Sequence, residues 1–458
     1  MRKKLPKGPF PLPIIGNYHQ FIWAIYREKS MVKVLQKFQR EYGNLFTIWL
    51  GPTPSVSIAD FETAQEAMVK NGDKFPHRDS SGIFEDNRAG LGVFAANGHE
   101  WQVRRRFTLQ TLRNFGLGKN MMEARIMEEV NSRFQSIERD AVNGETVRNI
   151  HNFLDITIGS LINSILFSKR FKEDDEEFKK LKRNLDASTE NFSWFEVLMP
   201  LWIQKLKIFE KRQEKIFTPQ KEALKYLNSY IVKRQEEIEN GQRQVSDEPQ
   251  DFLDAYLQKI RQEKEDGVKD SPFHLEDLRL TLLDLWITAQ ETTAATLNVA
   301  IMKMIFHPEV QKKDQYPYFN ATIQEIHRHA SILNLSFWRR NAEDTVVAGQ
   351  PVAEGALVGV QLSLLHRDES VYKNWQEFNP SRFLENEKLN RMVIPFGVGK
   401  RACLGESMAQ AEIYLIFGNL LLNYEIQAHG ADPDPEELAP TCPFRVPKDY
   451  DFKLIKVT

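Results

Sequence analysis

The stretch Phe-Gly-Val-Gly-Lys-Arg-Ala-Cys-Leu-Gly at residues 396–405 contains Cys403, one of two cysteines in a chain of 458 residues. It leads into Glu406-Ser-Met-Ala-Gln-Ala-Glu-Ile-Tyr-Leu-Ile-Phe, whose apolar residues recur at helical spacing. This pattern predicts a helix that begins close to Cys403. The unpaired N–H groups and the positive dipole end of a helix start stabilise a thiolate over a thiol. Cys403 is therefore a candidate metal ligand.

Three neighbours of Cys403 suit a flat, acidic ligand. Gly399 and Gly405 allow the backbone to turn tightly and to pass close to such a ligand. Arg401 lies two residues from the cysteine and supplies a permanent positive charge for an acidic group. Together these residues predict a cysteinate bound axially to haem iron. A lone cysteine can also be a small buried apolar residue without a ligand. The spacing of the motif has to distinguish between these two roles.

The motif reads Phe-x-x-Gly-x-Arg-x-Cys-x-Gly and begins at Phe396. It matches in full the haem-ligand signature of the cytochrome P-450 family, which this chain therefore resembles. The resemblance implies a cytochrome P-450 fold in one domain over residues 1–458, mainly α with a small β-sheet region. It also implies haem b as the cofactor and Cys403 as the axial ligand of its iron.

The composition of the chain argues against some classes of function. The 61 basic and 63 acidic residues nearly cancel, so no electrostatic field selects nucleic acid. No signal peptide is visible, and Cys403 and Cys442 alone predict a reducing compartment. No flexible linker or internal repeat divides the chain, which favours one large domain. No run reaches the roughly 18 uninterrupted apolar residues that a membrane span needs.

Residues 1–17 form a basic and then proline-rich arm. In microsomal members of the family such a stretch follows a transmembrane anchor, so the resemblance implies a catalytic part whose anchor is absent. It implies a place on the cytosolic face of the endoplasmic reticulum membrane with peripheral membrane contact, or in the cytoplasm if the sequence is complete. A basic start and a stiff, polyproline-like arm are also common surface features.

The rest of the chain predicts a small N-terminal sheet and a helical body. Alternating apolar residues predict strands at 45–50 and 55–58 around a Gly-Pro turn, and Asp60 is expected to cap a helix that runs to Lys70. Charged, helix-periodic segments predict helices over 122–139, 220–240 and 251–266. The alternation at 451–457 predicts a final strand.

The longest predicted helix runs from about Leu275 to Phe306. Its apolar pattern is interrupted by Glu291, Thr292, Thr293 and Thr296, and threonine is a poor helix former. Such a broken local rule often marks function. In the family this helix crosses the distal face of the haem, and Glu291 and Thr292 match its acid-alcohol pair, which delivers protons to bound dioxygen.

The match on this helix is imperfect. Thr288 and Ala289 stand where the family pattern has Ala or Gly and then Gly. The added methyl group is expected to narrow the oxygen groove, which would slow or uncouple turnover. Packing without catalysis remains the alternative for Thr292.

Two carboxylate-binding sets follow from the family pattern. Trp101 and Arg105 stand four apart on a predicted helix and match the pair that hydrogen-bonds a haem propionate, as a planar guanidinium suits a carboxylate. Arg339 falls where part of the family has a propionate-binding His or Arg. Arg104 and Arg106 are expected to be solvated.

A structural triad is also expected. Glu325 and Arg328 are three residues apart on one helix face, which by itself usually means a solvated surface pair. In the family such a pair is buried and joined by an arginine from a later loop, which Arg382 supplies here. Its role would be to position the cysteine loop. His366 is expected to be structural.

One segment departs from the family. After His307-Pro-Glu-Val-Gln only Lys312-Lys-Asp-Gln-Tyr separates the chain from Pro317, where the family has a long segment with a helix. Part of the helical body is therefore missing. Exposed apolar faces left by the loss would impair folding. A haem-binding but catalytically impaired protein is thus the alternative to an active enzyme.

The resemblance implies a monooxygenase that inserts one oxygen atom of dioxygen into a lipophilic substrate of the xenobiotic, fatty acid or steroid class. Electrons would come from NADPH through cytochrome P-450 reductase, with cytochrome b5 as a second candidate partner, and Arg104, Arg106 and Lys400 are candidates for the docking face. The substrate is expected to meet segments at 78–94, 192–202, 286–293 and 332–337. A cysteine hydrolase built on Cys403 is the rival from another class, and no histidine base lies near that cysteine in sequence.

Overall fold

The computed structural model describes residues 2–28, 30–79, 86–115, 120–193, 195–196, 199–243, 248–313, 316–433, 445 and 447–457. Helices account for most of them. The N-terminal half contains α1 (Tyr18–Glu28), α2 (Met31–Tyr42), α3 (Phe61–Gln65), α4 (Gly98–Asn114), α5 (Asn120–Arg139), α6 (Ile150–Phe167), α7 (Glu176–Asn191), α8 (Leu201–Gln204) and α9 (Glu210–Glu239). The C-terminal half contains α10 (Phe252–Glu265), α11 (Leu275–Phe306), α12 (Pro308–Gln311), α13 (Tyr316–Ala330), α14 (Leu362–Leu365), α15 (Arg382–Glu385) and α16 (Glu406–Asn423).

The strands form small sheets at the edges of this helical body. They are β1 (Leu45–Leu50), β2 (Thr53–Ile58), β3 (His77–Asp79), β4 (Glu145–Asn149), β5 (Trp338–Arg340), β6 (Thr345–Val347), β7 (Gln350–Val352), β8 (Leu357–Val360), β9 (Tyr424–Ala428) and β10 (Asp451–Lys456). The largest sheet has the order β1-β2-β8-β5-β3, with β2 and β8 parallel and its other pairs antiparallel. A second sheet has the order β4-β10-β9, and β6 pairs with β7. The mainly α fold with small sheets agrees with the prediction.

Helix α11 is the central element of the core. It has buried residues around its circumference, among them Leu278, Leu282, Trp286 and Leu297, as expected of a helix enclosed by others. It packs against α6, α9, α13 and α16. The side chain of His274 caps its first turn by accepting a hydrogen bond from the backbone N–H of Asp277. The predicted bounds of this helix are confirmed.

Other predicted elements are confirmed with small differences. The side chain of Asp60 accepts from the N–H of Thr63 and caps α3, but the chain continues from Glu66 to Lys70 as a π-helical turn. Helix α9 begins ten residues before the predicted start, at Glu210, and runs through Pro219. Proline removes only one backbone donor, and Ile216 and Phe217 are buried on the turn that precedes it, so packing maintains the helix.

Helix α6 is long and apolar enough to cross a membrane by length and composition. In this structure 78% of that window is buried inside the protein. A core helix meets the same criteria as a span. The burial of α6 against α11 therefore accounts for its apolar character.

A glycine allows α6 to approach its neighbours closely. A Cβ atom at Gly159 would lie 2.4 Å from Cε2 of Phe178 on α7 and 3.2 Å from Oε1 of Gln290 on α11. The first contact is too short for a methyl group unless the Phe178 ring moves, and the second requires a small displacement of the Gln290 side chain. Gly159 therefore fixes the spacing of three helices that surround the site described below.

Gly159→Ala is expected to destabilise the protein by about 1–3 kcal/mol, because overpacking forces side chains and backbone to move. Gly72→Ala is the matched control, since a Cβ there meets nothing within 4 Å. Thermal unfolding of the two variants measures the difference. Equal melting temperatures would show that the three helices adjust without cost.

Candidate functional site

A cavity of about 360 Å³ lies between the middle of α11 and the loop at 395–405. Its walls are largely apolar, and each of the four segments expected to meet a substrate contributes to them. Examples from these segments are Phe94, Phe192, Ile287, Leu333 and Phe337. Parts of these segments, residues 80–85, 194, 197 and 198, lie outside the described residues.

The loop places Cys403 on the cavity. The N–H of Cys403 donates to the carbonyl oxygen of Phe396 over 2.8 Å, which closes the turn. Gly399 has a φ of 80°, and a Cβ there would lie 1.9 Å from the carbonyl oxygen of Met68, so glycine is required by close approach as well as by conformation. The side chain of Cys403 is accessible from the cavity.

The electrostatics of Cys403 differ from the simple expectation. Helix α16 begins three residues after it, at Glu406. Burial raises the pKa of the Cys403 thiol, although a hydrogen bond from the N–H of Gly405 and the nearby charges of Arg105 and Arg78 lower it. The N–H group at the start of α16 therefore acts in the predicted direction, but the effect of burial on the thiol pKa is larger. A bound cation at the sulfur would supply the missing stabilisation.

Besides Arg88, which pairs with Asp284, four arginine side chains line the same cavity: Arg78, Arg105, Arg339 and Arg401. Strands β3 and β5 place Arg78 directly opposite Arg339, an arrangement that is unfavourable for like charges. Burial and the repulsion between these groups lower the pKa of Arg78 to about 10, of Arg339 to about 9 and of Arg401 to about 8. The Nε groups of Arg78 and Arg339 are buried without a hydrogen-bond partner.

This cluster fits a ligand with carboxylate groups. Guanidinium groups match carboxylates in shape and charge, and buried charges need a partner of opposite sign. The two propionates of a haem meet this requirement, while the apolar walls suit its ring and Cys403 suits its iron. The residues present therefore fit haem, with Arg78 as a candidate contact that the sequence reasoning had assigned only to the substrate loop.

Two predicted propionate partners also hold the protein itself together. The indole N–H of Trp101 donates to the carbonyl oxygen of Val93 over 3.1 Å, so in this structure it makes no bond towards the cavity. The guanidinium of Arg401 lies 3.2 Å from the centre of the Trp101 ring and donates to Ala96 and Asn97. Trp101 therefore supports Arg401 by a cation-π contact. Arg105 donates to the carbonyl oxygen of Ala402 over 2.7 Å.

Arg104 is not solvated, contrary to the prediction. Its side chain is 1% exposed and donates to Asp277 over 2.5 Å and to Glu100 over 2.6 Å. It is therefore no docking residue. Arg106 is exposed, as predicted. Lys400 is exposed and paired with Asp73.

Two aspartates of α11 bind the loop that precedes α4. The carboxylate of Asp277 accepts from the N–H of Gly92 over 2.9 Å. Asp284, two turns later, accepts from the N–H groups of Val93 and Phe94 over 2.9 Å and pairs with Arg88. Both carboxylates are buried. The loop that contributes Phe94 to the cavity is thus fastened to the same helix that forms the opposite wall.

The predicted acid-alcohol pair lies on the cavity face of α11. The hydroxyl of Thr292 donates to the carbonyl oxygen of Thr288 over 2.7 Å. Glu291 lies beside it and lines the cavity. Its carboxylate lies 3.2 Å from the ammonium of Lys182 on α7. The structure therefore brings both predicted residues to the cavity and adds a lysine that the sequence did not indicate.

Lys182 is shared by three carboxylates. Asp155 lies 3.3 Å from it, and Asp186 pairs with it as well. Burial raises the pKa of Glu291 above its ordinary value, although Lys182 lowers it. Burial likewise raises the pKa of Asp155 to about 6. One ammonium lies among three carboxylates, and burial raises the pKa of Asp155 and of Glu291, so this cluster favours retention of a proton.

A further buried carboxyl joins α16 to α11. Glu412 is 1% exposed and lines the cavity. Burial raises its pKa to about 8, and a hydrogen bond with Thr293 opposes this only in part. It is therefore mostly neutral at pH 7. A single glutamate in a helical pattern carries no signal of this kind in the sequence.

The predicted triad forms as expected. Arg328 donates to both oxygens of Glu325 over 2.7 and 2.8 Å, and Arg382 donates to Glu325 over 3.2 Å. Burial alone would raise the pKa of Glu325, but hydrogen bonds from Arg328 and His329 lower it to about 2. Arg328 also donates to the carbonyl oxygens of His366, Trp375 and Glu377. The triad thus fastens the loops that lead to the cysteine.

His366 supports the cysteine loop from the other side. Its Nε2 accepts from the N–H of Ile394 over 3.0 Å, and its Nδ1 bonds the hydroxyl of Ser331 over 2.9 Å. Burial lowers its pKa to about 3, so the ring is neutral. The predicted structural role agrees with this geometry. Cys442 lies outside the described residues.

Comparisons with known proteins identify the family of this chain. The family model described as cytochrome P450 matches residues 6–315 and 313–453, and the break falls at the segment predicted to be shortened. The chain is 40% identical to probable cytochrome P450 cyp-35D1 of Caenorhabditis elegans, over 98% of this chain and 94% of that protein.

Human relatives are more distant and match as fully. The chain is 31% identical to human cytochrome P450 2A6, over 99% of this chain and 93% of the relative. It is 32% identical to human cytochrome P450 2J2, over 95% of this chain and 88% of the relative. Since the matches run along nearly the whole chain, the protein belongs to the cytochrome P450 family, whose members bind haem through a cysteine thiolate and act as monooxygenases.

Proposed function

We propose that this monooxygenase holds haem b in the cavity with Cys403 as the axial ligand and acts on lipophilic substrates of the xenobiotic, fatty acid or steroid class. The observation that carries the proposal is the convergence of Cys403 and four arginines on one largely apolar cavity. The bound haem supplies the redox chemistry of dioxygen. The one domain of residues 1–458 supplies its ligand, its charge partners and its protons.

The residues around the cavity have separate roles in this proposal. The four arginines bind and orient the propionates, while Phe396, Gly399 and Gly405 shape the cysteine loop. Apolar side chains keep water from the substrate side. Glu291 and Thr292 hold a proton at the cavity face of α11, within reach of the buried Lys182 cluster. The triad of Glu325, Arg328 and Arg382 positions the cysteine loop and takes no part in the chemistry.

Electron supply and location belong to the same proposal. NADPH-cytochrome P-450 reductase, with cytochrome b5 as a second donor, would dock where the exposed Arg106 and Lys400 lie. Peripheral membrane contact is supported by apolar side chains that face solvent on α1 and near α8. They include Ile22 at 62%, Trp23 at 65%, Tyr26 at 79%, Trp202 at 65% and Ile208 at 79% exposure.

Both groups of exposed apolar residues adjoin one core cluster, because Met199, near α8, packs against the cluster that contains Tyr18 and Phe21 of α1. An apolar surface of this kind suits the boundary of a bilayer. The proposed location is therefore the cytosolic face of the endoplasmic reticulum.

The catalytically impaired alternative is favoured by one observation, the break in the family match at residues 313–315. The rival cysteine hydrolase is not favoured. Among the described residues no histidine hydrogen-bonds Cys403, and the buried His327 and His366 have pKa values lowered to about 4 and 3 by burial. Spectra and turnover measurements separate these functions.

Purified protein with haem is expected to show the red-shifted Soret band of a thiolate ligand in its reduced, CO-bound difference spectrum. Cys403→Ala is expected to abolish this band, because it removes the only proposed sulfur ligand. Cys442→Ala is the control and should retain it. Absence of the band in the parent protein after haem supplementation would refute haem-thiolate ligation.

Thr292→Val is expected to divert electrons from NADPH into hydrogen peroxide, because it removes the hydroxyl oxygen that can accept a hydrogen bond from a proton-carrying group in the cavity. Loss of a proton-transfer group typically slows such a step by about 10²-fold or more. The measurement is peroxide released per NADPH consumed in the presence of reductase, together with the CO-bound spectrum. A parent protein that already gives peroxide alone would support the impaired alternative.

The efficiency of proton delivery is expected to fall as pH rises through the raised pKa of Glu291, because only the protonated acid can donate. Lys182→Met removes the cation that lowers this pKa, so the fall should move to higher pH by about one unit or more. The measurement is the amount of peroxide released per NADPH consumed as a function of pH.

The control for Lys182 is Lys179→Met on the same helix, since Lys179 is partly exposed and pairs with the exposed Glu176. Its profile should match that of the parent protein. Superimposable profiles for Lys182→Met and the parent would exclude Glu291 as the proton donor.

A further inference from the structure

Thr288 projects from α11 into the cavity. It lies one helical turn before Thr292 and lines the same cavity. Between Asp277 and Phe306 no residue of α11 is more exposed than Thr288, and the structure describes this helix throughout. An apolar helix that presents a threonine to an apolar cavity offers a polar contact at a defined place.

The hydroxyl hydrogen of Thr288 is already committed. Its Oγ1 donates to the carbonyl oxygen of Asp284 over 2.6 Å. Thr292 donates to Thr288 and Thr296 donates to Thr292 in the same way, over 2.7 and 2.8 Å. A hydroxyl has one hydrogen and two acceptor lone pairs. Thr288 therefore presents an acceptor, and no donor, to the cavity.

The two acidic side chains of α11 that line the cavity on either side of Thr288 are held by other groups of the protein. The carboxylate of Asp284 pairs with Arg88 and accepts from two backbone N–H groups. The carboxylate of Glu291 lies against Lys182. Both acids are therefore engaged by the protein. The Oγ1 of Thr288 is a neutral acceptor whose exposed side faces the cavity.

We propose that Thr288 is a specificity-determining residue that favours lipophilic substrates with a hydrogen-bond donor, a hydroxyl or N–H group, over equally apolar substrates without one. The donor group binds Oγ1 of Thr288 and so anchors the substrate one turn from Thr292. A ligand without a donor displaces water from this oxygen and leaves the oxygen without a hydrogen bond, so it binds more weakly. This inference rests on the proposed function, because it concerns the substrate side of the same cavity.

The test uses two isomeric ligands of the same number of heavy atoms, 1-decanol and methyl nonyl ether, and the haem-loaded protein without NADPH. Dissociation constants are measured by equilibrium dialysis and by the spectral change of the haem. The parent protein is expected to bind the alcohol roughly five- to tenfold more tightly than the ether, the size of one neutral hydrogen bond. Thr288→Val keeps the shape and removes the hydroxyl, so it should lose the preference for the alcohol.

Two more variants separate the hydroxyl of Thr288 from a general effect of substitution on α11. Thr288→Ser retains the hydroxyl and is expected to keep the preference. A loss of the preference in Thr288→Val would then be due to the missing hydroxyl and not to substitution at this residue as such. Thr296→Val removes a buried hydroxyl two turns along the helix and should also keep the preference. A preference that survives in Thr288→Val, or a parent protein without any preference, would overturn the proposal.

The result is separable from the proposed function. Dialysis measures binding whether or not the protein turns over, and the CO-bound spectrum reports the thiolate ligand independently. A normal spectrum without alcohol preference would refute the role of Thr288 alone. A lost thiolate band with a preference that depends on Thr288 would refute the proposed haem ligation alone.

Discussion

The accumulation of positive charge in a buried place is the constraint on which this site depends. Four guanidinium groups face one cavity, and two of them, Arg78 and Arg339, are direct partners on adjacent strands. Burial and mutual repulsion lower the pKa values of these groups, so the protein holds them at a cost. A fold keeps such an arrangement where an anion offsets it. The arginines therefore indicate an anionic ligand as clearly as Cys403 indicates a metal.

Helix α11 contributes the opposite charge. Its acidic side chains pair with basic side chains of the surrounding elements. Three carboxylates are spaced seven residues apart, which is close to two helical turns, so they lie along one side of the helix. The pairs are Asp277 with Arg104 of α4, Asp284 with Arg88 of the preceding loop, and Glu291 with Lys182 of α7. Each pair fastens a different element. The same helix thus forms a wall of the cavity and anchors the elements around it.

Sequence reasoning found the residues whose role is local or belongs to a family motif. The bounds of α11, the cap at Asp60 and the triad around Glu325 were predictable because periodicity, capping and motif spacing are written along the chain. The partners of Arg104 and Lys182 were not, since Asp277 lies 173 positions from Arg104 and an ordinary charged helix gives no sign of burial. The raised pKa of the Cys403 thiol was also out of reach, because desolvation depends on the packed cavity.

The segment predicted to be shortened lies between elements that are firmly tied into the fold. The chain on both sides of residues 314 and 315 is tied into the fold. Gln311 donates to the carbonyl oxygens of Met304 and Ile426 and accepts from the N–H of Ile426, which joins α12 to α11 and β9.

On the other side, α13 begins at Tyr316 and carries Glu325 and Arg328. Their contacts run to the loops after α14, away from the shortened segment. Tyr316 is 67% exposed. The surface of α13 next to the predicted deletion is therefore exposed at Tyr316, whereas the face of that helix that holds the triad is buried.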